Sequence, residues 1–348
     1  MDEISPSSGN SPLTREAMGE LIEHSALPQL VVDESRIVVA NAAARKVLGQ
    51  HILLQDPRVI FRHPAAVHLL ARPEAGSIVV QGLTGPRSAW QITRQPIDGQ
   101  HWLLELVDRT AAADVSRAHT DFVANASHEL RTPLASIIGY IETLVDEGDK
   151  ADPAMAAKFH QTVLREARRL QSLVHDLMSL SRVEAEQHSL PSDLVDLGGV
   201  VERAARDAAG AEPGRVQIDP SSEALAVRGD GEQLEQVIRN LVDNACKYGD
   251  RASPVEVSIA RGRAGMAVIE VGDRGDGIAP EHLPHLTRRF YRTDPGRSRA
   301  AGGTGLGLAI VKHIVERHRG RLDIASKLGE GTTVTVRLPI ADAAPESP

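Results

Sequence analysis

The chain has 348 residues, with 47 acidic side chains against 39 basic ones and a formal net charge of -8. At 41% hydrophobic and 25% charged it is too apolar to be mostly disordered, and its mild acidity gives no global reason to bind nucleic acid or an anionic membrane. A single cysteine, Cys246, excludes a disulfide framework and a multi-cysteine zinc site and fits a reducing, cytoplasmic setting. The N-terminus lacks the basic-then-apolar pattern of a signal peptide, and no apolar run approaches the ~20 residues of a membrane helix. The chain is therefore expected to carry no membrane segment of its own.

The length predicts two or three domains. Residues 1–12 are rich in Pro, Ser and Gly and are expected to be disordered. Residues 13–110 read as a small α+β domain. Leu30–Val32 and Ile37–Val39 flank a polar turn as in a hairpin, and Asn41 and Gly49 bracket an Ala-rich helix, Ala42–Leu48. Further strands are expected at 77–81, 89–94 and 102–108. Residues 111–187 change texture. Leu130, Leu134, Ile137, Ile141 and Leu144 follow one helical seam; Leu170, Leu173, Leu177 and Leu180 follow another. The breaker between them, ending at Asp152-Pro153, predicts an antiparallel helical hairpin. One hairpin buries only one face of each helix, so a four-helix bundle formed by a homodimer is expected. Residues 188–340 alternate strands and helices, with helices predicted at Leu194–Ala209, Gly231–Tyr248 and Gly307–Arg317; residues 341–348 read as a tail.

Four clusters could carry chemistry. In the first seam helix, His128 lies about 200° around the helix from Leu130 and so faces solvent, leaving a ring nitrogen available as a nucleophile. Glu129 can hold the other nitrogen's proton, Thr132 stands one turn on, where it could position a water, and Pro133 should bend the helix. In Gly231–Tyr248, Asn240 and Asn244 share a face opposite Val237, Leu241 and Ala245. Two amide oxygens suit a hard cation such as Mg2+, and Lys247, with Tyr248 nearby, could meet a phosphate. Asp273 ends a strand and could accept a purine amine, while Gly275 and Gly277 allow close backbone approach to a flat ligand. Gly303, Thr304, Gly305, Leu306 and Gly307 open an apolar helix and present backbone N–H groups to an anion. No Lys follows as in a Walker loop, and Ile310 stands where a dinucleotide fingerprint needs glycine. The basic stretch before it, from Arg288, suggests a cationic lid. Each cluster alone has an ordinary reading as a solvated face or turn; their joint order does not.

In that order the chain resembles bacterial two-component sensor histidine kinases. His128 to Leu134 is similar to the family's H-box, Asn240 to Tyr248 to its N-box, Asp273 to Ile278 and Gly303 to Leu308 to its glycine boxes, and Arg289 to Arg292 to its F-box. Gly329 to Thr332 resembles its last glycine turn. The resemblance implies a PAS-like sensor, a dimerisation and phosphotransfer hairpin, and a Bergerat-type α/β sandwich binding ATP and Mg2+. It further implies autophosphorylation of His128, with Asn244 as metal ligand and Asp273 reading adenine. A response-regulator receiver domain would be the partner that accepts the phosphoryl group and is dephosphorylated in turn. A Bergerat-type clamp ATPase and a silent receiver-binding regulator are the alternatives.

Overall fold

The computed structural model describes residues 14–33, 35–148, 152–186, 189–210, 214–219, 224–294 and 303–341. The expectations for residues 1–12 and for the tail beyond 341 lie outside the described residues. The chain divides into two compact units, residues 1–121 and 122–348.

The first unit runs α1 (Arg15–Glu23), β1 (Gln29–Asp33), β2 (Arg36–Ala40), α2 (Ala42–Leu48), α3 (Pro57–Ile60), α4 (Pro64–Ala71), β3 (Gly76–Gln81), β4 (Ala89–Pro96) and β5 (His101–Asp108). The strands form an antiparallel sheet in the order β2-β1-β5-β4-β3, and Leu30, Ile37, Ile92, Leu104 and Leu106 fill its core with Phe61 and Ile52. Asn41 is fully buried and yet satisfied. Its Oδ1 accepts from Ala44 N–H at 2.8 Å and Gln29 N–H at 3.0 Å, while its Nδ2 donates to the Leu27 carbonyl at 2.8 Å. One amide thus caps α2 and ties it to β1, which is how a polar group earns a place in a core. The sequence reading missed α1, α3 and α4. The last two are short, and each is begun by a capping side chain and a proline, Asp56-Pro57 and His63-Pro64.

The second unit opens with the hairpin, α5 (Thr110–Glu147, whose first turns belong to the first unit) and α6 (Pro153–Ala185). Asp152 accepts from Ala154 N–H and Pro153 starts the helix, as the breaker required. Then follow β6 (Leu194–Asp196), α7 (Leu197–Ala209), β7 (Val216–Asp219), β8 (Ala226–Arg228), α8 (Gly231–Tyr248), β9 (Val255–Arg261), β10 (Met266–Asp273), α9 (Gly307–Arg317), β11 (Arg321–Lys327) and β12 (Gly331–Pro339). The main sheet has the order β11-β12-β10-β9-β7, parallel only between β7 and β9. Its core joins Val257, Ile269 and Val336 of the sheet to Val201, Ile238 and Ile310 of α7, α8 and α9, a two-layer α/β sandwich.

Two expectations need correction. Leu194–Asp196 is a strand paired with β8, not the first turn of α7; Leu197, the first buried residue, marks where the helical stripe begins. The hairpin seams are also not simply internal. Leu173 and Leu180 of α6 belong to the sandwich core, each contributing about 1.5–3 kcal/mol by burial, whereas Leu134 and Ile141 of α5 stay 48% and 42% exposed.

His318, just past α9, fastens α9 to α8. Its Nδ1 bonds the Ile314 carbonyl at 2.8 Å, and its Nε2 accepts from Asp230 N–H at 2.9 Å at the start of α8. Only the neutral ring can do both, and burial holds its pKa below the usual imidazole value. The native state thus binds fewer protons here than the unfolded chain. The stability is fully present above about pH 6.5 and is lost as pH falls through the folded-state value. The melting temperature of the wild type is expected to drop more steeply than that of His318→Gln between pH 7.5 and pH 5.5, as read by calorimetry.

Candidate active site

A cleft of about 610 Å³ opens between α6, α8, the end of β10 and the loop that leads into α9. That is within the range of small-ligand sites. On α8 its walls include Asn240, Asn244, Lys247 and Tyr248; Asp273, Gly277 and Thr332 form the sheet side; Gly303, Thr304, Gly305 and Gly307 form the loop side. The two asparagines are half-buried on the face opposite Val237, Leu241 and Ala245, as their spacing predicts. Asn240 Nδ2 donates to the Gly307 carbonyl at 3.4 Å, so α8 and the start of α9 are held together at the cleft. The N-cap of α9, Leu306, supplies no side-chain cap, so the first amides of that helix keep their capacity for an anion.

Asp273 ends β10 with a half-buried carboxyl group. Burial raises its pKa, opposed by hydrogen bonds from the backbone N–H groups of Gly275 and Thr332. The Gly275 bond is 2.9 Å. Ser326 sets the neighbouring hydroxyl: its Oγ lies 2.9 Å from Thr332 Oγ1 and accepts from Ile278 N–H at 2.8 Å. Gly277 has φ +69°, and a Cβ there would fall 2.0 Å from the Lys327 carbonyl oxygen, so the turn closes only with glycine.

Three residues read as nucleotide contacts are not among the cleft walls. Gly275 packs its backbone on Tyr248 and Gly249, where a Cβ would clash with the Tyr248 carbonyl at 2.4 Å. Leu306 is fully buried in the sandwich core. Arg289 turns away to pair with Glu184 and stacks on Phe122, its guanidinium 5.0 Å from the ring. Lys247 pairs with Asp243 at 2.8 Å on its own helix.

The basic segment lines the cleft with Tyr291, Arg292, Thr293 and Asp294, while residues 295–302 lie outside the described residues. The Arg292 side chain is only 7% exposed. It donates to Glu129 at 3.1 Å and to the carbonyls of Gly303 and Thr304 at 2.9 Å each. Glu129 also pairs with Arg169 at 3.1 Å. Desolvated pairs of this kind are sensitive to loss of either partner. Sequence reasoning saw five arginines as a phosphate cover; Arg289 binds the hairpin away from the cleft, and Arg292 lines the cleft while binding the hairpin to the sandwich.

His128 is exposed on α5, as its offset from Leu130 requires, and Thr132 Oγ1 donates to the His128 carbonyl at 3.1 Å. Neither residue is among the cleft walls. The helix continues through Pro133, which is buried. Sequence reasoning missed the α6 wall of Gln171, Ser172, His175 and Asp176, which carries no motif.

The sandwich and its cleft define the class. Residues 229–342 match the family of Histidine kinase-, DNA gyrase B-, and HSP90-like ATPases, and residues 118–186 match the His Kinase A (phospho-acceptor) domain. The chain is 39% identical over 240 residues to the phosphate regulon sensor protein PhoR of Pseudomonas aeruginosa, covering 66% of this chain and 54% of that protein. It is 40% identical over 235 residues to the sensor-like histidine kinase SenX3 of Mycobacterium tuberculosis, covering 67% and 56%. Among solved structures, the Acinetobacter baumannii histidine kinase AdeS aligns with 27% identity and a TM-score of 0.48 over 62% of this chain and 98% of that one. The chain belongs to the two-component sensor histidine kinases. It spans little more than half the length of the curated relatives it matches. Among the described residues no helix is long and apolar enough to cross a membrane.

Proposed function

We propose that this chain phosphorylates itself on His128 from ATP and passes the phosphoryl group to an aspartate of a response-regulator receiver domain. The observation that carries the reading is the exposed imidazole on α5 in the same compact unit as a cleft built from two asparagines, a half-buried Asp and a glycine-rich helix start. Asp273 accepts the adenine amine. The 303–307 backbone and Lys247 cradle the phosphates. The amide oxygen of Asn244, with Asn240 alongside, suits Mg2+, which when bound neutralises phosphate charge. A ring nitrogen of His128 attacks the γ-phosphorus, the bond to the β–γ bridging oxygen breaks, and ADP leaves. Glu129 takes up the proton from the other ring nitrogen as the phosphoramidate forms. Glu129 is engaged by Arg292 and Arg169, and His128 stands outside the cleft. Transfer therefore needs the hairpin and sandwich to shift, or a nucleotide brought by a partner subunit. In the reverse role, Thr132 orients the water that dephosphorylates the receiver.

A homodimer fits the unpaired apolar stripe on α5, where Leu134, Ile138, Ile141 and Val145 recur at helical spacing and remain exposed. The strand order β2-β1-β5-β4-β3, with helices between β2 and β3, supports a PAS-like sensor in the first unit. ATP and a receiver partner imply a cytoplasmic reaction.

Incubation with γ-labelled ATP tests the proposal. A histidine kinase retains label through alkali and loses it in acid. A clamp ATPase releases phosphate without labelling itself, and a silent receiver-binding regulator does neither.

A further inference from the structure

Helix α6 places a carboxylate where an anion site has least use for one. Asp176 lines the cleft, and its Oδ2 accepts from Thr304 Oγ1 at 2.7 Å. The same hydroxyl accepts from Leu306 N–H at 3.3 Å, immediately before α9. Asp176 is thereby fastened to the loop that lines the cleft and leads into α9, so a phosphate tail seated there lies close to its charge. Burial raises the Asp176 pKa, and the charges facing it are divided: His175 and Lys247 favour its ionised form, Asp243 opposes it. Lys247 is already engaged by Asp243. Arg239 and Arg292 also line the cleft, but Arg292 is committed to Glu129 and to the carbonyls of Gly303 and Thr304.

We infer that Asp176 determines specificity in the cleft: it holds Thr304 in place and weakens binding of a nucleoside triphosphate relative to a diphosphate while α6 forms the wall. The inference rests on the reading of the cleft as a nucleotide site. A triphosphate tail carries about one more negative charge than a diphosphate tail, and like charges a few ångströms apart in a half-buried site repel appreciably. ADP therefore leaves the Asp176–Thr304 contact in place, and ATP opposes it. Asp176 acts on the bound tail and through Thr304, and takes no part in the bond exchange.

The test is calorimetric titration of the full chain, in Mg2+, with ADP and with the non-hydrolysable imido analogue of ATP. Asp176→Asn keeps an acceptor for Thr304 and removes the charge. It is expected to tighten the triphosphate analogue by about tenfold and ADP by less than about threefold, with an unchanged melting temperature. Asp176→Ala removes charge and acceptor together, and the same rise in the triphosphate-to-diphosphate preference is expected even if both affinities fall. An unchanged or lowered preference in both variants overturns the inference while leaving the nucleotide site standing. A wild-type chain that binds neither nucleotide overturns both.

Discussion

Replacing His128 with glutamine is expected to reduce incorporation of phosphate from γ-labelled ATP by at least about a thousandfold, to background, because an amide offers no nucleophilic lone pair comparable to that of a neutral imidazole. The substitution is mild for the fold. His128 is exposed on α5, glutamine is a good helix former, and the seam residues are untouched. Nucleotide affinity should stay within about twofold of the wild type, since His128 is not among the cleft walls. Equilibrium titration with ATP and a filter-bound labelling assay separate the two quantities. Retained labelling would assign the acceptor to another residue.

Asp273→Asn is expected to weaken ATP by about a hundredfold, the scale of losing a charge-assisted hydrogen bond and leaving a donor poorly matched. The carboxyl group sits at the end of β10, and burial already raises its pKa against two backbone N–H bonds. Asparagine can still accept from Gly275 N–H, so the turn should survive; circular dichroism and melting check this. The effect should fall on adenine nucleotides, and inorganic triphosphate should compete with unchanged strength, because it touches the loop and α8 but not Asp273. Equal weakening of both would mean that the residue supports the cleft rather than reads the base.

What the sequence carried well were elements whose periodicity and punctuation agree. Helix α8 begins after the capping Asp230 and ends at Gly249, and α9 begins where the glycines stop; both match the expected bounds. Strand β10 is an apolar run closed by Asp273 and matches as well. Asn240, Asn244 and Asp273 were legible for the same reason: local spacing places them on one face or at one strand end. Contacts made across long separations were not legible. Arg292 meets Glu129 from 163 positions away, and Arg289 meets Glu184 from 105. Nothing in an arginine-rich stretch says whether its charges await a phosphate or a carboxylate. The α6 heptads misled in the same way. Leu173 and Leu180 keep one spacing whether they pack in a hairpin seam or, as here, in the core of the sandwich. Asp176 sits between those leucines, where no motif marks it. Leu194–Asp196 failed because a three-residue strand has too short a pattern to compete with the helix that follows.

The central claim is that a solvent-facing imidazole on the hairpin accepts phosphate from a nucleotide held by the sandwich. Mass-spectrometric mapping of the wild-type chain after brief incubation with Mg2+ and ATP, kept at alkaline pH throughout, tests it most directly. The account predicts one phosphate on His128, lost on acid treatment and missing when Asp273 is replaced. A phosphate found on a serine, threonine or other histidine, or an unmodified chain that turns ATP into ADP and free phosphate, would contradict it.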